Sequence, residues 1–243
     1  MFHTTFGVIR RALRRMRRAA IPCAPSDTSE DRSTPGTRRA AVTNPRRGPS
    51  TMPAALIPKE EVLARLLEVF REHGYEGASL AVLSEATGLG RSSLYHHFPG
   101  GKEEMATSVL AYLDGLLKQA LYAPLETMAS PNKKLDVMLA VLDEVYDGGM
   151  KACLLERLCA SAGRPVIGGP LRRSFDLWLT AFETLGVDAG IPRAVARSRA
   201  EDALGRIEGA LVVVAGTGNK RVFARALKDV RATLLANKET VAS

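Results

Sequence analysis

Aromatic side chains are scarce in this chain, with seven Phe, five Tyr and one Trp among 243 residues. Ala, Leu and Val are abundant instead, and alternating runs rich in Thr, Ile and Tyr are missing, so the composition points away from sheet and towards an all-α protein. Long apolar runs are lacking as well. No stretch approaches the roughly 20 residues that a membrane-spanning helix requires, and no membrane partner is expected. Cysteine is limited to Cys23, Cys153 and Cys159. An odd, sparse set of this kind suits a reducing cytosol better than a disulfide scaffold, which predicts a cytoplasmic protein. Cys153 and Cys159 are six positions apart, on different faces of any helix, and no His stands at a ligand-like spacing. Neither a metal nor another cofactor is therefore expected. Asp143-Glu144 and Glu201-Asp202 are adjacent acidic pairs. Their side chains would diverge on a helix, so the chain offers no pair of carboxylates for acid–base work and reads as a non-enzyme without catalytic residues.

Charge is unevenly spread. Residues 1–50 hold 11 Arg against Asp27, Glu30 and Asp31, while residues 51–243 hold 23 basic and 23 acidic groups. The whole excess of +8 therefore lies in the leader, whose Arg, Pro, Ser, Gly and Ala content cannot bury a core and predicts disorder over residues 1–53. Three roles compete for it: a basic arm adding non-specific DNA affinity, a targeting peptide built around Arg10 to Arg18, or translated upstream sequence with Met52 as the natural start. The last is favoured.

The most informative stretch runs from Ala78 to Phe98. Ser79 is placed to cap a short helix with Leu80 and Leu83 turned inward, and Gly88 allows the tight turn that lets Leu89 plug the angle to a second helix. In that second helix Leu94 and Phe98 fall on one side, Ser92, Ser93 and His96 on the other. An anchored apolar face opposite a free polar face is the arrangement of a recognition helix laid in the DNA major groove.

Residues 58–105 resemble the DNA-binding domain of the TetR (tetracycline-repressor-like) family. The resemblance rests on a first helix ending Phe70-Arg71-Glu72-His73-Gly74-Tyr75, on the two-helix unit, and on Leu94-Tyr95-His96-His97-Phe98 followed by Lys102-Glu103-Glu104. The connection Pro99-Gly100-Gly101 resembles that of the LmrA/YxaF-type branch. It implies DNA-facing roles for Ser79, Arg91, Ser92, Ser93, Tyr95, His96, His97 and Lys102. Arg91 would offer a fork to guanine or a phosphate, and Tyr95 and His97 would meet phosphates or sugars. His96 would approach a base edge, and Ser79 and Lys102 would hold the backbone from the starts of their helices. The alternative for Ser79 is a simple cap, and for His97 packing beside Phe98. Gly90 departs from the Ser or Thr common just before this helix, so one phosphate contact is not expected.

Nine helices are expected after the leader. The first runs from Pro58 to Gly74, and the fourth from Lys102 to about Tyr122. The others span Asn132 to Tyr146, Ala152 to Ala160, Pro170 to Leu185 with a stop at Gly186, Arg193 to Ala215, and Arg221 to Leu235. They divide into a helix-turn-helix domain, 54–103, and a C-terminal domain, 104–243, for effector binding and dimerisation. The helix from Arg193 is apolar on nearly every side near its end, through Leu204, Ile207 and Ala210 to Ala215, and Gly205 and Gly209 leave room for a partner helix. A homodimer on a palindromic operator follows, because one short recognition helix reads too few base pairs alone.

The family that the chain resembles couples an effector in this domain to its recognition helices, and this resemblance implies that Met138, Leu142, Tyr146, Leu158, Phe175, Trp178 and Phe182 are candidate walls of an effector cavity, with ordinary core packing the favoured role for each. No paired acid stands out on the apolar faces, which favours a small, mainly apolar effector. The function expected is a ligand-released repressor acting on double-stranded operator DNA, against a ligand-independent architectural or partner-controlled factor. Removal of residues 1–51 should leave folding, dimerisation and operator preference intact. Affinity for random DNA at low salt, measured by anisotropy, should fall as phosphate-neutralising arginines are lost; an unfolded truncated chain would refute this reading.

Overall fold

The computed structural model describes residues 57–122, 126, 128, 130–159 and 164–236, so the expected leader lies outside the described residues. Among these residues the chain is all-helical: α1 (Lys59–Gly77), α2 (Leu80–Thr87), α3 (Arg91–His97), α4 (Gly101–Leu117), α5 (Pro131–Val145), α6 (Leu154–Cys159), α7 (Arg164–Asp188), α8 (Arg193–Thr217) and α9 (Arg221–Thr233). A π-helical turn, Lys118–Tyr122, continues α4.

α1 buries Val62, Leu66, Leu67, Val69 and Phe70, the stripe its spacing requires. Its regular course breaks at Gly74, which takes φ 65°, ψ −173°, a conformation that favours glycine. α1 packs against α2, α4 and α6. α7 packs against α8, α4 and α6, while α9 lies on α8 and α5. One apolar core runs through all of this, from Phe70, Leu83, Leu94 and Phe98 past Met105 and Leu110 to Phe182, Ile207 and Phe223.

Two features of α7 correct the sequence reading. The helix does not begin at Pro170; it starts at Arg164 and carries Pro170 inside it. Ile167, Leu171, Ser174, Trp178, Phe182 and Leu185 are all buried, so a core-facing stripe continues straight across the proline. Burial of Ile167 on the N-terminal side offsets the backbone hydrogen bond that an internal proline removes. Nor does Gly186 stop the helix, which continues to Asp188, with the left-handed turn taken by Gly190 at φ 84°. A Cβ at Gly186 would lie 2.8 Å from the Cβ of Ala196, so this glycine lets α7 and α8 approach closely. The smaller differences are single-turn shifts at helix ends.

Gly186→Ala should consequently destabilise the fold by about 1 to 3 kcal/mol, the usual cost of overpacking a filled contact. Paired with Ala196→Gly it should recover part of that loss in chemical denaturation. A Gly186→Ala chain as stable as the parent would show that α7 and α8 are not held at this distance.

Candidate nucleic-acid interface

α3 is held from beneath by two fully buried side chains, Leu94 and Phe98, and this fixes which residues face out. Arg91, Ser92, Ser93, Tyr95 and His96 are exposed, Tyr95 by 45 %, and His97 is half-buried beside Phe98 with ring centroids 6.2 Å apart. Gly90 precedes the helix without a side-chain cap, so the amides of its first turn are not covered by their own chain's cap.

The angle between α2 and α3 is set by hydrogen bonds as well as by apolar contact. Ser79 caps α2, its hydroxyl accepting from the Val82 amide at 3.3 Å. Gly88 closes the helix in the left-handed conformation, φ 69°. The fully buried Thr87 donates to the Leu83 carbonyl at 2.7 Å and accepts from the Leu89 amide at 3.3 Å, while the Ser84 hydroxyl donates to the Leu89 carbonyl. Arg65, reaching across from α1, donates to the Thr87 carbonyl at 2.9 Å and pairs with Glu61. The turn is thereby tied to α1, and Arg65 was not among the residues picked from sequence. Its spacing from Glu61 was legible, but its reach to residue 87 was not.

Lys102 is placed differently from the other expected contacts. Its ammonium donates to the Tyr75 carbonyl at 2.8 Å and lies 4.4 Å from the centre of the Tyr75 ring, which joins the start of α4 to the end of α1. The Gly100 amide is capped by the Glu104 carboxylate at 2.7 Å. Lys102 thus has an internal role, whatever its two remaining N–H groups meet.

The proposed effector residues all belong to the core or its margin. Met138, Leu142, Tyr146, Leu158, Trp178 and Phe182 are buried and Phe175 is half-buried; Trp178 stacks on Phe182 and Tyr146 meets Phe223 edge-on. None of the seven lines the cavity of about 110 Å³ between α6 and α8, whose walls include Cys153, Glu156, Arg157 and Glu208. Tyr146 stands directly behind it. Its hydroxyl donates to Cys153 Sγ at 3.4 Å, and the thiol in turn bonds the Glu208 carboxylate. Burial raises the Cys153 thiol to about 12 and the Glu208 carboxyl to about 7, in both cases chiefly because the charged form loses solvent. Cys153 is therefore a protonated, unreactive thiol at neutral pH. Glu208 Oε2 is shut off from solvent without a hydrogen-bond partner. A single acid therefore does sit among the apolar residues of α8, although not as one of an adjacent pair. A signal existed, because Leu204, Leu211, Val212 and Ala215 stand at the helical spacings that surround residue 208.

The fold and this geometry define a helix-turn-helix module on a helical bundle. Residues 62–109 match the family model described as bacterial regulatory proteins, tetR family. The chain is 29 % identical over 84 residues to the HTH-type transcriptional regulator LmrA of Bacillus subtilis, covering 35 % of this chain and 45 % of LmrA. It is 37 % identical over 91 residues to the HTH-type transcriptional repressor AcnR of Corynebacterium glutamicum, covering 37 % of this chain and 44 % of AcnR. The matched segment thus spans a little under half the length of these curated relatives. The solved structure of the TetR-family regulator CifR, described in complex with 26-base-pair operator DNA, has the same fold at TM-score 0.57 and 21 % identity, over 75 % of this chain and all of that one. Residues 62–109 are thus similar to the DNA-binding segment of the TetR family of bacterial regulators, and the helices that follow share the fold of a solved member.

Lys102→Met should lower stability by about 1 to 2 kcal/mol, since a charged hydrogen bond and a ring contact are both lost while the stem remains. Thermal denaturation in the absence of DNA checks this; an unchanged melting temperature would leave Lys102 as a surface cation only.

Proposed function

We propose that this protein is a cytoplasmic, ligand-responsive transcriptional repressor that binds a palindromic operator as a homodimer and is released by a small, mainly apolar effector. The division into a reader, residues 54–103, and an effector-binding and dimerisation domain, 104–243, is part of this proposal. The observation that carries it is the outer face of α3. Arg91, Ser92, Ser93, Tyr95 and His96 are free there, on a helix anchored by Leu94 and Phe98. Short side chains beside Arg91 suit close approach to base edges, with Arg91 itself able to read guanine. Ser79 and His97 flank this row and would position it through the DNA backbone. Residues 58–102 carry five basic and six acidic side chains, so selectivity would rest on the placement of these few groups rather than on a positive field.

The dimer is supported by α8. Its core stripe is Ala196, Ala200, Ala203, Ile207, Ala210, Leu211 and Val214. Opposite, Val212 and Val213 are 53 % and 45 % exposed, and Gly205, Gly209 and Gly216 have no atom of a neighbouring element of their own chain in reach of a Cβ. A face so apolar and smooth suits a partner helix.

The test is an anisotropy titration of the full chain with operator DNA selected from a random-sequence pool, alongside light scattering. A dimer with a clear preference for one inverted repeat is expected. Arg91→Ala should reduce that preference by about 1 to 3 kcal/mol, and equal losses on operator and random DNA would move Arg91 to a phosphate role. Gly209→Leu should fold, because its own chain leaves the position open, yet scatter as a monomer and lose operator affinity. Operator binding by a monomer would overturn the proposal.

A further inference from the structure

The cavity between α6 and α8 is small and chemically one-sided. Ala152, Leu211, Val212 and Ala215 supply its apolar wall; Cys153, Glu156, Arg157 and Glu208 supply the polar one. Glu156 and Arg157 are each other's counter-charge, with Arg157 Nε 3.8 Å from Glu156 Oε2. Cys153 is neutral. The Glu208 carboxylate is left as the uncompensated charge, half-buried on α8, with one oxygen occluded and unpartnered. An anion would be repelled here. A neutral apolar guest would leave the carboxylate no better satisfied than it is.

We propose that this cavity is a binding site for a small primary ammonium with a short alkyl body, the charged nitrogen bonding Glu208 and the alkyl chain lying on Ala152, Leu211, Val212 and Ala215. The size follows from the volume: a cavity of about 150 Å³ admits benzene, so about 110 Å³ suits roughly five heavy atoms. This deepens the effector reading above and rests on it, naming one positive group on an otherwise apolar molecule.

The position explains why occupancy would matter to DNA. Arg157, part of the cavity wall, places its backbone carbonyl 3.6 Å from where a Cβ of Gly74 would stand, and Gly74 is the break in α1. Glu68, also on α1, holds Lys151 at 3.7 Å and Arg71 at 3.2 Å. Any movement of α6 to accommodate a guest therefore presses on the helix that carries the reader.

The experiment is calorimetric titration of the full-length protein, without DNA, with n-butylamine and with 1-butanol. At pH 8 the amine should bind at least about tenfold more tightly than the alcohol. Both the amine and Glu208 are then ionised. Lowering the pH to 6 protonates the carboxyl, whose pKa lies near 7, and should weaken amine binding by about tenfold. Glu156, Arg157 and Cys153 also face this seat, with Tyr146 behind Cys153 and Arg71 bearing on Tyr146 from α1. Glu208→Gln must therefore abolish the pH dependence and the amine preference together if the effect is Glu208's own. Ala152→Leu, which fills the apolar wall and leaves the carboxylate in place, should block the amine. Equal affinities for amine and alcohol, no amine binding, or amine binding unchanged in Glu208→Gln would each overturn the proposal. Because DNA takes no part, failure here is distinguishable from failure to bind an operator.

Discussion

The guanidinium of Arg65 on the Thr87 carbonyl is the contact on which the reading surface depends. Carbonyls at the end of a helix have no partner within it, and α2 ends at Thr87 in a region that must bend sharply. A charged donor from α1 satisfies that end, and the buried Thr87 hydroxyl fixes the following turn through Leu83 and Leu89. Charged hydrogen bonds of this kind contribute about 1.5 to 3 kcal/mol. That is comparable to burying one large aliphatic side chain, but it is directional where the apolar contacts of Leu83, Leu94 and Phe98 are not. Leu94 and Phe98 hold α3 on the core; Arg65 determines at what angle.

The same helix meets the rest of the molecule on other sides. Lys102 ties its C-terminal turn to α4, and Glu68, Arg71 and Gly74 bring it against the segment containing Lys151 and Arg157. α1 is therefore the spine between the face that would meet DNA and the cavity beside Glu208. A shift along this path need not be large. Packed elements repack between discrete arrangements, and the spacing of two recognition helices in a dimer would register a small rotation at each α1.

What was legible from sequence followed from local rules. Ser79 as a cap, Gly88 as a left-handed closure, and Leu94 with Phe98 as an anchored face need only neighbours within a few positions. The nine-helix layout came from the same spacing of apolar residues and breakers. Pro170 and Gly186 were misread because tertiary contact overrode local preference: Ile167 is buried ahead of the proline, and Ala196 sits where a side chain of residue 186 would go. Lys102 was placed by family resemblance at the DNA, and only the fold reveals the Tyr75 carbonyl it also serves. Arg65 and Glu208 were overlooked for a common reason. Each is a charged residue that works against an element far away in the chain, Arg65 at Thr87 and Glu208 at the cavity beside Cys153; helical spacing shows the apolar neighbours of Glu208 within α8 but not what lies across from them.

A repressor of the proposed kind holds two recognition helices rigidly, set by its dimer at the pitch of DNA. The direct measurement is the distance between spin labels at Ser92→Cys in the two protomers, in a Cys23→Ser, Cys159→Ser background, with operator bound. A single narrow distribution near one helical turn of DNA, about 34 to 36 Å or slightly more, is expected. A broad distribution, or no distance between protomers at all, would contradict it.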